Sequence, residues 1–221
     1  MGLQWSAYGR GVLQLLAVQA CAACGWAAPA GTVWAFGFCT ACRLLLEPVP
    51  EGLGPPAPEA ALFVYGGPMA EALRRFKYAG RYELARPLGA LLQECAWAYA
   101  GLVERVVPLP LHPERLRARG YNQAALLAAP LARELRVPCD VGVLQRVRPT
   151  AVQAGLTGAA REANVAGAFR ARRRLRPGVR VLLVDDVRTS GATLRQGAAA
   201  LRKAGAKEVF TLALAQTDLE S

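Results

Sequence analysis

Two neighbouring carboxylates, Asp185 and Asp186, stand between an apolar run, Val181–Val184, and a stretch of small and hydroxylated residues, Thr189, Ser190, Gly191, Ala192 and Thr193. Each residue type suits its own piece of chemistry. Glycine and alanine let the backbone approach an anion closely, and the hydroxyls can donate to its oxygens. Carboxylates only accept, so the acids would repel a phosphate that touched them. They suit the hydroxyls of an adjoining sugar, or a Mg²⁺ ion. A phosphorylated ribose carries both groups a few bonds apart. The chain has no G-x-x-x-x-G-K-[ST], and no G-x-G-x-x-G opens a helix, so neither a P-loop nor a dinucleotide fingerprint accounts for the stretch. The competing explanation is a buried strand followed by an ordinary helix capped by Ser190. Against it, two adjacent acids beside a glycine loop are costly to place without a ligand.

A second set of reactive side chains lies near the start, Cys21-x2-Cys24 and Cys39-x2-Cys42, with 14 residues between the pairs. Each pair fits a tight turn that aims two thiolates at one point, and two such pairs match a tetrahedral Cys₄ zinc ribbon. The alternatives are two disulfides or two redox pairs. A cytosolic setting disfavours the first, and two equally spaced pairs disfavour a lone redox motif. Nothing in the spacing leaves an open coordination position, so the role would be structural. His112 is the single histidine, which leaves no second one for a Ser-His-Asp or Cys-His nucleophile.

These groups need elements to hold them. A continuous apolar run, unlike an alternating one, predicts a strand covered on both faces, as in a parallel sheet flanked by helices. A helix should follow it, since Leu194, Ala198, Leu201 and Arg202 recur three or four apart. Ligands of open α/β sheets bind beyond the strand carboxyl ends, where helix starts offer unpaired N–H groups to an anion.

The rest of the chain is consistent with that frame. With 221 residues, 53% hydrophobic, it has ample material for a core plus a small module. No apolar run reaches membrane-spanning length. Gly11–Ala20 is too short for a signal peptide and contains Gln14 and Gln19. Val12, Leu15, Leu16 and Gln19 instead predict an amphipathic helix in a cytoplasmic protein. The net charge of +11 favours polyanionic partners such as nucleic acid or phosphorylated metabolites. Glu47–Glu59 holds five prolines and two glycines and reads as a linker. The expected division is therefore 1–47 for the helix and zinc ribbon, 48–59 for the linker, and 60–221 for an α/β domain.

Within that domain, strands are expected at Ala61–Tyr65, Val103–Val107, Val141–Leu144, Ala168–Ala171, Val181–Val184 and Glu208–Ala213, the last closing the sheet. Helices are expected from Pro68 to Tyr78, over Glu83–Ala100, and over Gln123–Leu135 with Pro130 as a kink or early end. Arg74, Arg75, Lys77 and Arg81, interleaved with Phe76 and Tyr78, form a basic face that most simply is solvated. The alternative is a phosphate-binding surface with aromatic stacking. Arg115, Arg117 and Arg119 lie two apart and predict an extended loop that projects cations. Thr32–Phe38 is β-prone. Thr150–Phe169, with its glycines and small residues, predicts a mobile loop, and Arg172–Arg176 carries four arginines. Strands alternating with helices from residue 103 onward indicate a doubly wound parallel sheet.

The acid pair and the loop after it resemble the phosphoribosyl-pyrophosphate (PRPP) signature of type I phosphoribosyltransferases. The chain as a whole resembles the ComF family of competence-associated proteins. It shares the four cysteines, F-K-Y-A-G at Phe76–Gly80, P-L-H-P-x-R-x-R-x-R-G-Y-N-Q at Pro110–Gln123, then Thr150, Gln153, Leu156, Arg161 and Asn164, and finally V-D-D-V-x-T-S-G-A-T. Arg188 departs from the hydrophobic residue usual there, and Ser190 from a second threonine.

The resemblance implies one structural zinc on Cys21, Cys24, Cys39 and Cys42, and a type I phosphoribosyltransferase-like domain that takes PRPP with Mg²⁺. Asp185 and Asp186, the catalytic pair, would hold the ribose hydroxyls. Thr189, Ser190, Gly191, Ala192 and Thr193 would hold the 5′-phosphate. The turn from Leu109 to His112 would face pyrophosphate with Arg115 or Arg119 nearby, and Arg161 and Asn164 would lie on a closing flap. The implied role is the handling of single-stranded DNA in natural transformation, at the cytoplasmic face of the inner membrane beside the DNA-translocation machinery. Two other readings stay open. One is an active transferase with an unknown nitrogen acceptor. The other is a zinc-ribbon nucleic-acid-binding protein with an inactive core.

Overall fold

Val181, Leu182, Leu183 and Val184 are completely buried. Strand β5 (Arg180–Arg188), which contains them, lies inside a four-stranded sheet. The structure is a computed structural model that describes residues 20–28, 32, 34–149 and 165–217. The helix expected ahead of Ala20 and the loop at 150–164, with Arg161 and Asn164, lie outside the described residues. The other strands of the sheet are β1 (Glu59–Val64), β2 (Arg105–Pro108) and β6 (Glu208–Gln216). Their order is β1-β6-β5-β2 and every pairing is parallel.

One correction concerns β6, which does not close the sheet at an edge but sits between β1 and β5. Leu212, Ala213, Leu214 and Ala215 are all fully buried. A strand apolar on both faces belongs in the interior of a parallel sheet, not on its rim.

Helices cover both faces. Leu182, Val184, Leu212 and Leu214 pack on one side against α2 (Gly67–Tyr78), α3 (Ala85–Gln93) and α5 (Gln123–Glu134), through Leu73, Phe76, Leu88, Leu92, Leu127 and Leu131. Val181, Leu183 and Ala213 pack on the other against α6 (Ala192–Lys203), through Leu194, Ala198 and Leu201. Beside α6 lies a short antiparallel ribbon of β3 (Leu144–Arg146) and β4 (Phe169–Ala171). The doubly covered parallel sheet is the expected architecture.

Four local expectations change. Arg115, Arg117 and Arg119 lie on a helix, α4 (Pro113–Arg119), not on an extended loop. Pro113 supplies a preset first turn, and Gly120 ends the helix at φ 84°. The expected long helix Glu83–Ala100 ends instead at Gln93, and the chain turns through Ala96–Tyr99 so that Tyr99 is buried edge-on to Phe210 while Trp97 stays exposed. In the stretch read as β-prone, the chain forms a single 3₁₀ turn at Ala35–Gly37, ahead of the short helix α1 (Thr40–Leu44). Pro130 does not end α5, which runs on to Glu134, and its ring sits against Gly89 of α3, where a Cβ would meet it at 2.8 Å.

The Pro-rich stretch is held to the body of the molecule. Val49 N–H donates to the Leu62 carbonyl, and Ala61 N–H to that of Leu53, at 3.0 Å each. The amino-terminal turns are also buried, since Cys21, Ala22, Ala23, Phe38 and Cys39 belong to the same cluster as Leu73, Phe76 and Leu88. Among the described residues, no helix is long and apolar enough to cross a membrane.

Candidate functional site

At the carboxyl end of β5, beyond its pairing with β2, an open cleft of about 930 Å³ is lined by Asp185, Asp186, Thr189, Gly191 and Thr193, by Leu109, Arg115 and Arg119, and by Lys77 and Arg146. The acids are part of the strand itself, which runs on to Arg188. Asp185 pairs with Ala213 of β6, and the N–H of Asp186 donates to Asp185 Oδ1 at 2.8 Å. Asp186 is 7% exposed and accepts from Lys77 Nζ at 2.9 Å. Burial works against the Lys77 ammonium, but Asp186, with Asp185 behind it, outweighs that and raises its proton affinity. The Asp185 carboxyl is dominated by its surroundings. Burial first, and the Asp186 charge second, push it up to about 7, against the pull of Lys77 and Arg146.

After the acids the chain turns sharply. Gly191, at φ 74°, is the residue before the first turn of α6. An L side chain there would be strained, and its Cβ would meet Arg195 Nη1 at 2.7 Å. Ser190 Oγ lies 3.5 Å from the Ala192 N–H, so the hydroxyl faces the helix start. Gly197 lets α6 approach the sheet, because a Cβ would lie 2.9 Å from Leu109 and 3.0 Å from Leu183.

The opposite wall is the turn after β2. Leu109 N–H donates to the Val184 carbonyl at 2.8 Å. Asn122 then does two jobs, as its Oδ1 accepts from the Ala124 N–H and its Nδ2 donates to the Leu109 carbonyl, both at 3.1 Å. One side chain therefore ties the start of α5 to the turn. On α4, Arg115 and Arg119 are four residues apart and line the cleft, whereas Arg117 does not. Arg119 stacks 5.3 Å from the centre of the Tyr78 ring at the rim. Burial and the nearby Arg115 weaken the hold of Arg146 on its proton, which marks a spot where two guanidinium groups together favour an anion.

The expected site residues are thus placed as follows. Asp185, Asp186, Thr189, Gly191, Thr193, Leu109, Arg115 and Arg119 line one cleft, while Ser190, Ala192 and His112 do not reach its surface. His112 precedes α4 with Nδ1 at 3.7 Å from Glu114. Arg161 is outside the described residues. Sequence reasoning missed Arg146, Asn122 and Tyr121 as site residues, and it read Lys77 and Tyr78 as part of a solvated face, with phosphate binding as the alternative. Of the basic face on α2, only Arg74 is strongly exposed, paired with Glu71. Arg188 is buried, and its guanidinium donates to the Glu59 carbonyl at 2.8 Å and to Gln216. It fastens the end of β5 across β6 to β1.

The four cysteines meet as expected. The Sγ atoms of Cys21, Cys24, Cys39 and Cys42 all lie within 4.8 Å of one another, and Cys24 and Cys39 are 3.9 Å apart. Four Zn–S bonds of about 2.3 Å at tetrahedral angles put sulfurs about 3.8 Å apart, so the donor set fits zinc. Burial alone would raise the Cys21 thiol, but N–H groups of Cys39, Cys24 and Ala23 directed at its sulfur bring it down to about 6. Cys95 and Cys139 lie outside the cluster. Arg75 Nη1 holds the first turn, donating to the carbonyls of Cys21, Ala22 and Ala23 at 3.0, 3.1 and 2.9 Å. Two residues further along α2, Lys77 holds Asp186.

A parallel sheet with an acid pair and a glycine turn at one strand end defines a phosphoribosyltransferase-type domain, and the family model described as "Phosphoribosyl transferase domain" matches residues 122–218. Among solved structures the chain is similar to glutamine PRPP amidotransferase from B. subtilis, 24% identical, covering 63% of this chain and 30% of that one, with a TM-score of 0.44. Among curated proteins it is 35% identical to Competence protein F of Haemophilus influenzae over 69% of each chain. It is 27% identical to Competence protein ComFC of Streptococcus pneumoniae over 80% of this chain and 74% of that one. The chain belongs to the ComF family of competence proteins.

Proposed function

We propose that the chain binds PRPP, with Mg²⁺, in the cleft at the end of β5 and serves in the handling of incoming single-stranded DNA during natural transformation. The observation that carries the ligand half is the juxtaposition in one cleft of two carboxylates, a glycine turn that opens a helix, and the cations of Arg115, Arg119 and Arg146. Asp185 and Asp186 accept from the ribose hydroxyls. Thr189, Gly191 and Thr193 take the 5′-phosphate, where the α6 start adds N–H groups and a favourable dipole. Arg115 and Arg119 face the pyrophosphate. Bound Mg²⁺ supplies further neutralisation of that group. Asn122 and Gly197 keep the Leu109 turn in place, and Lys77 offsets the charge of Asp186. In this reading residues 1–47 hold one structural zinc, 48–59 connect, and 60–221 form the phosphoribosyltransferase-like body.

The DNA half rests on the relatives, among them Competence protein F and the DNA utilization protein YhgH of Salmonella typhi, 35% identical over 69% of each chain, and on the +11 charge. A competition series tests the ligand half. PRPP should bind tightest, with ribose 5-phosphate and pyrophosphate each displacing it at higher concentration. Failure of both fragments to compete would reject the assignment.

A second reading is transfer of the phosphoribosyl group to a nitrogen acceptor. It is favoured by the place of Asp185 in the cleft beside the Lys77-paired Asp186, where burial raises its carboxyl toward the range of a proton acceptor at neutral pH. Pyrophosphate release across a panel of nitrogenous bases and amines tests it, and silence throughout favours binding alone.

A further inference from the structure

The β3–β4 ribbon has two sides. Arg146 of β3 pairs with Phe169 of β4, and its guanidinium lies 5.4 Å from the centre of that ring while lining the cleft. The next pair along, Gln145 and Arg170, must point the opposite way, since side chains alternate along a strand. Beside the ribbon an open groove of about 480 Å³ runs between β4 and α6, lined by Arg170, Arg172, Arg173, Arg174 and Lys203 around Phe169 and three small alanines, and it shares no lining residue with the cleft.

Among the described residues, no carboxylate lines this groove. Arg173 pairs with Asp140 outside it. Arg170, Arg172, Arg174 and Lys203 make no ion pair among the described residues, and all four are exposed. Like charges gathered this closely repel one another, and only a multivalent anion relieves all of them together. The groove is concave, and no described residue puts an exposed large apolar side chain on its walls. Insertion into a bilayer uses such side chains, and a groove sunk between β4 and α6 suits a narrow chain of phosphates better than a planar headgroup surface.

We propose that this groove is the track for single-stranded nucleic acid, with successive backbone phosphates on Arg170, Arg172, Arg174 and Lys203. The proposal rests on the DNA-handling reading above and adds where the strand lies: outside the PRPP cleft, in the groove between β4 and α6. Contact is through the backbone, so binding is insensitive to base sequence and steeply dependent on salt.

Fluorescence anisotropy of a labelled oligothymidylate, titrated with the full chain over a series of salt concentrations, tests this. Replacement of Arg170, Arg172 and Arg174 by serine should weaken binding at least about tenfold. It should also flatten the log–log salt slope by about 2, since each phosphate no longer neutralised takes roughly 0.7 from the slope. PRPP affinity of the same variant should be unchanged, which also shows that it is folded. The Asp185→Asn, Asp186→Asn variant should show the reverse pattern, with PRPP binding abolished and oligonucleotide binding retained. Wild-type affinity and slope in the triple variant would overturn the groove while leaving DNA handling intact. Absence of oligonucleotide binding by the wild-type chain, with PRPP still bound, would overturn the DNA-handling reading and the groove with it. Binding of anionic phosphatidylglycerol vesicles through these arginines in place of the oligonucleotide would overturn the proposal in favour of a membrane surface.

Discussion

At the cysteine cluster, four donors of one kind come from two turns close in sequence, Cys21–Cys24 and Cys39–Cys42, and converge within 4.8 Å. At the cleft, the working groups come from α2, the β2–α4 turn, β3 and the end of β5, and they differ in charge and in what they can donate. The first region is a local construction that a metal can lock. The second exists only after the sheet has formed and opposing charges have been brought to one place. Helix α2 touches both, with Arg75 on the knuckle carbonyls and Lys77 on Asp186. That single helix makes the two regions mechanically continuous.

The comparison predicts unequal responses to mutation. The largest belongs to the cysteines. Metal analysis should find one zinc per chain, absent in Cys39→Ser, and because Cys39 is 5% exposed within the core cluster, denaturant unfolding should show a loss of about 4 kcal/mol or more. A variant that releases zinc without losing stability would break the view of this cluster as structural.

The acid pair should behave in the opposite way, because it is placed at a cost to the fold. The Asp185 carboxyl is raised to about 7 in the folded chain from about 3.9 when unfolded. The folded state therefore binds the extra proton between those values, and the stability contributed by this group falls as pH rises from about 4 to 7. Asp185→Asn should stabilise the chain by about 2 kcal/mol at pH 8, and the gain should vanish near pH 4. Thermal unfolding at the two pH values checks it, and a constant or inverted difference would contradict the burial argument.

Smaller effects probe the link between the regions. Arg75→Ala should keep its zinc yet weaken PRPP binding by roughly 3–10-fold, about 1 kcal/mol of coupling, with partial recovery in Arg75→Lys. Unchanged PRPP affinity would show the two regions to be independent. Smallest of all is the effect of Arg188→Leu on PRPP affinity, expected to be within about twofold, since the guanidinium is engaged with Glu59 and Gln216. Its cost should appear in stability instead, about 1–3 kcal/mol from the acceptors left unpaired.

The same contrast explains what the sequence revealed. Cys-x2-Cys twice, and an apolar run ending in two acids, are short-range patterns whose chemistry is contained in the residues themselves. The sheet followed from strand–helix alternation. The position of β6 did not, because strand order is set by which strand can be buried on both faces, and a parallel pairing can join distant segments. Lys77 and Arg75 read as a solvated face since long side chains reach inward or outward according to neighbours that only the fold supplies. Arg115 and Arg119 were visible as cations, but their shared face required α4, whose start at Pro113 and stop at Gly120 were present in the sequence and were outweighed by the two-residue spacing of the arginines. Arg146 gave no local signal, and its place in the cleft comes from β3–β4 pairing across a stretch of sequence that no short motif spans.

Isothermal titration of the zinc-loaded chain with PRPP and Mg²⁺ tests the central claim most directly. The account predicts one binding event per chain, abolished in a folded, zinc-retaining Asp185→Asn, Asp186→Asn double variant. An unaltered isotherm in that variant would contradict it.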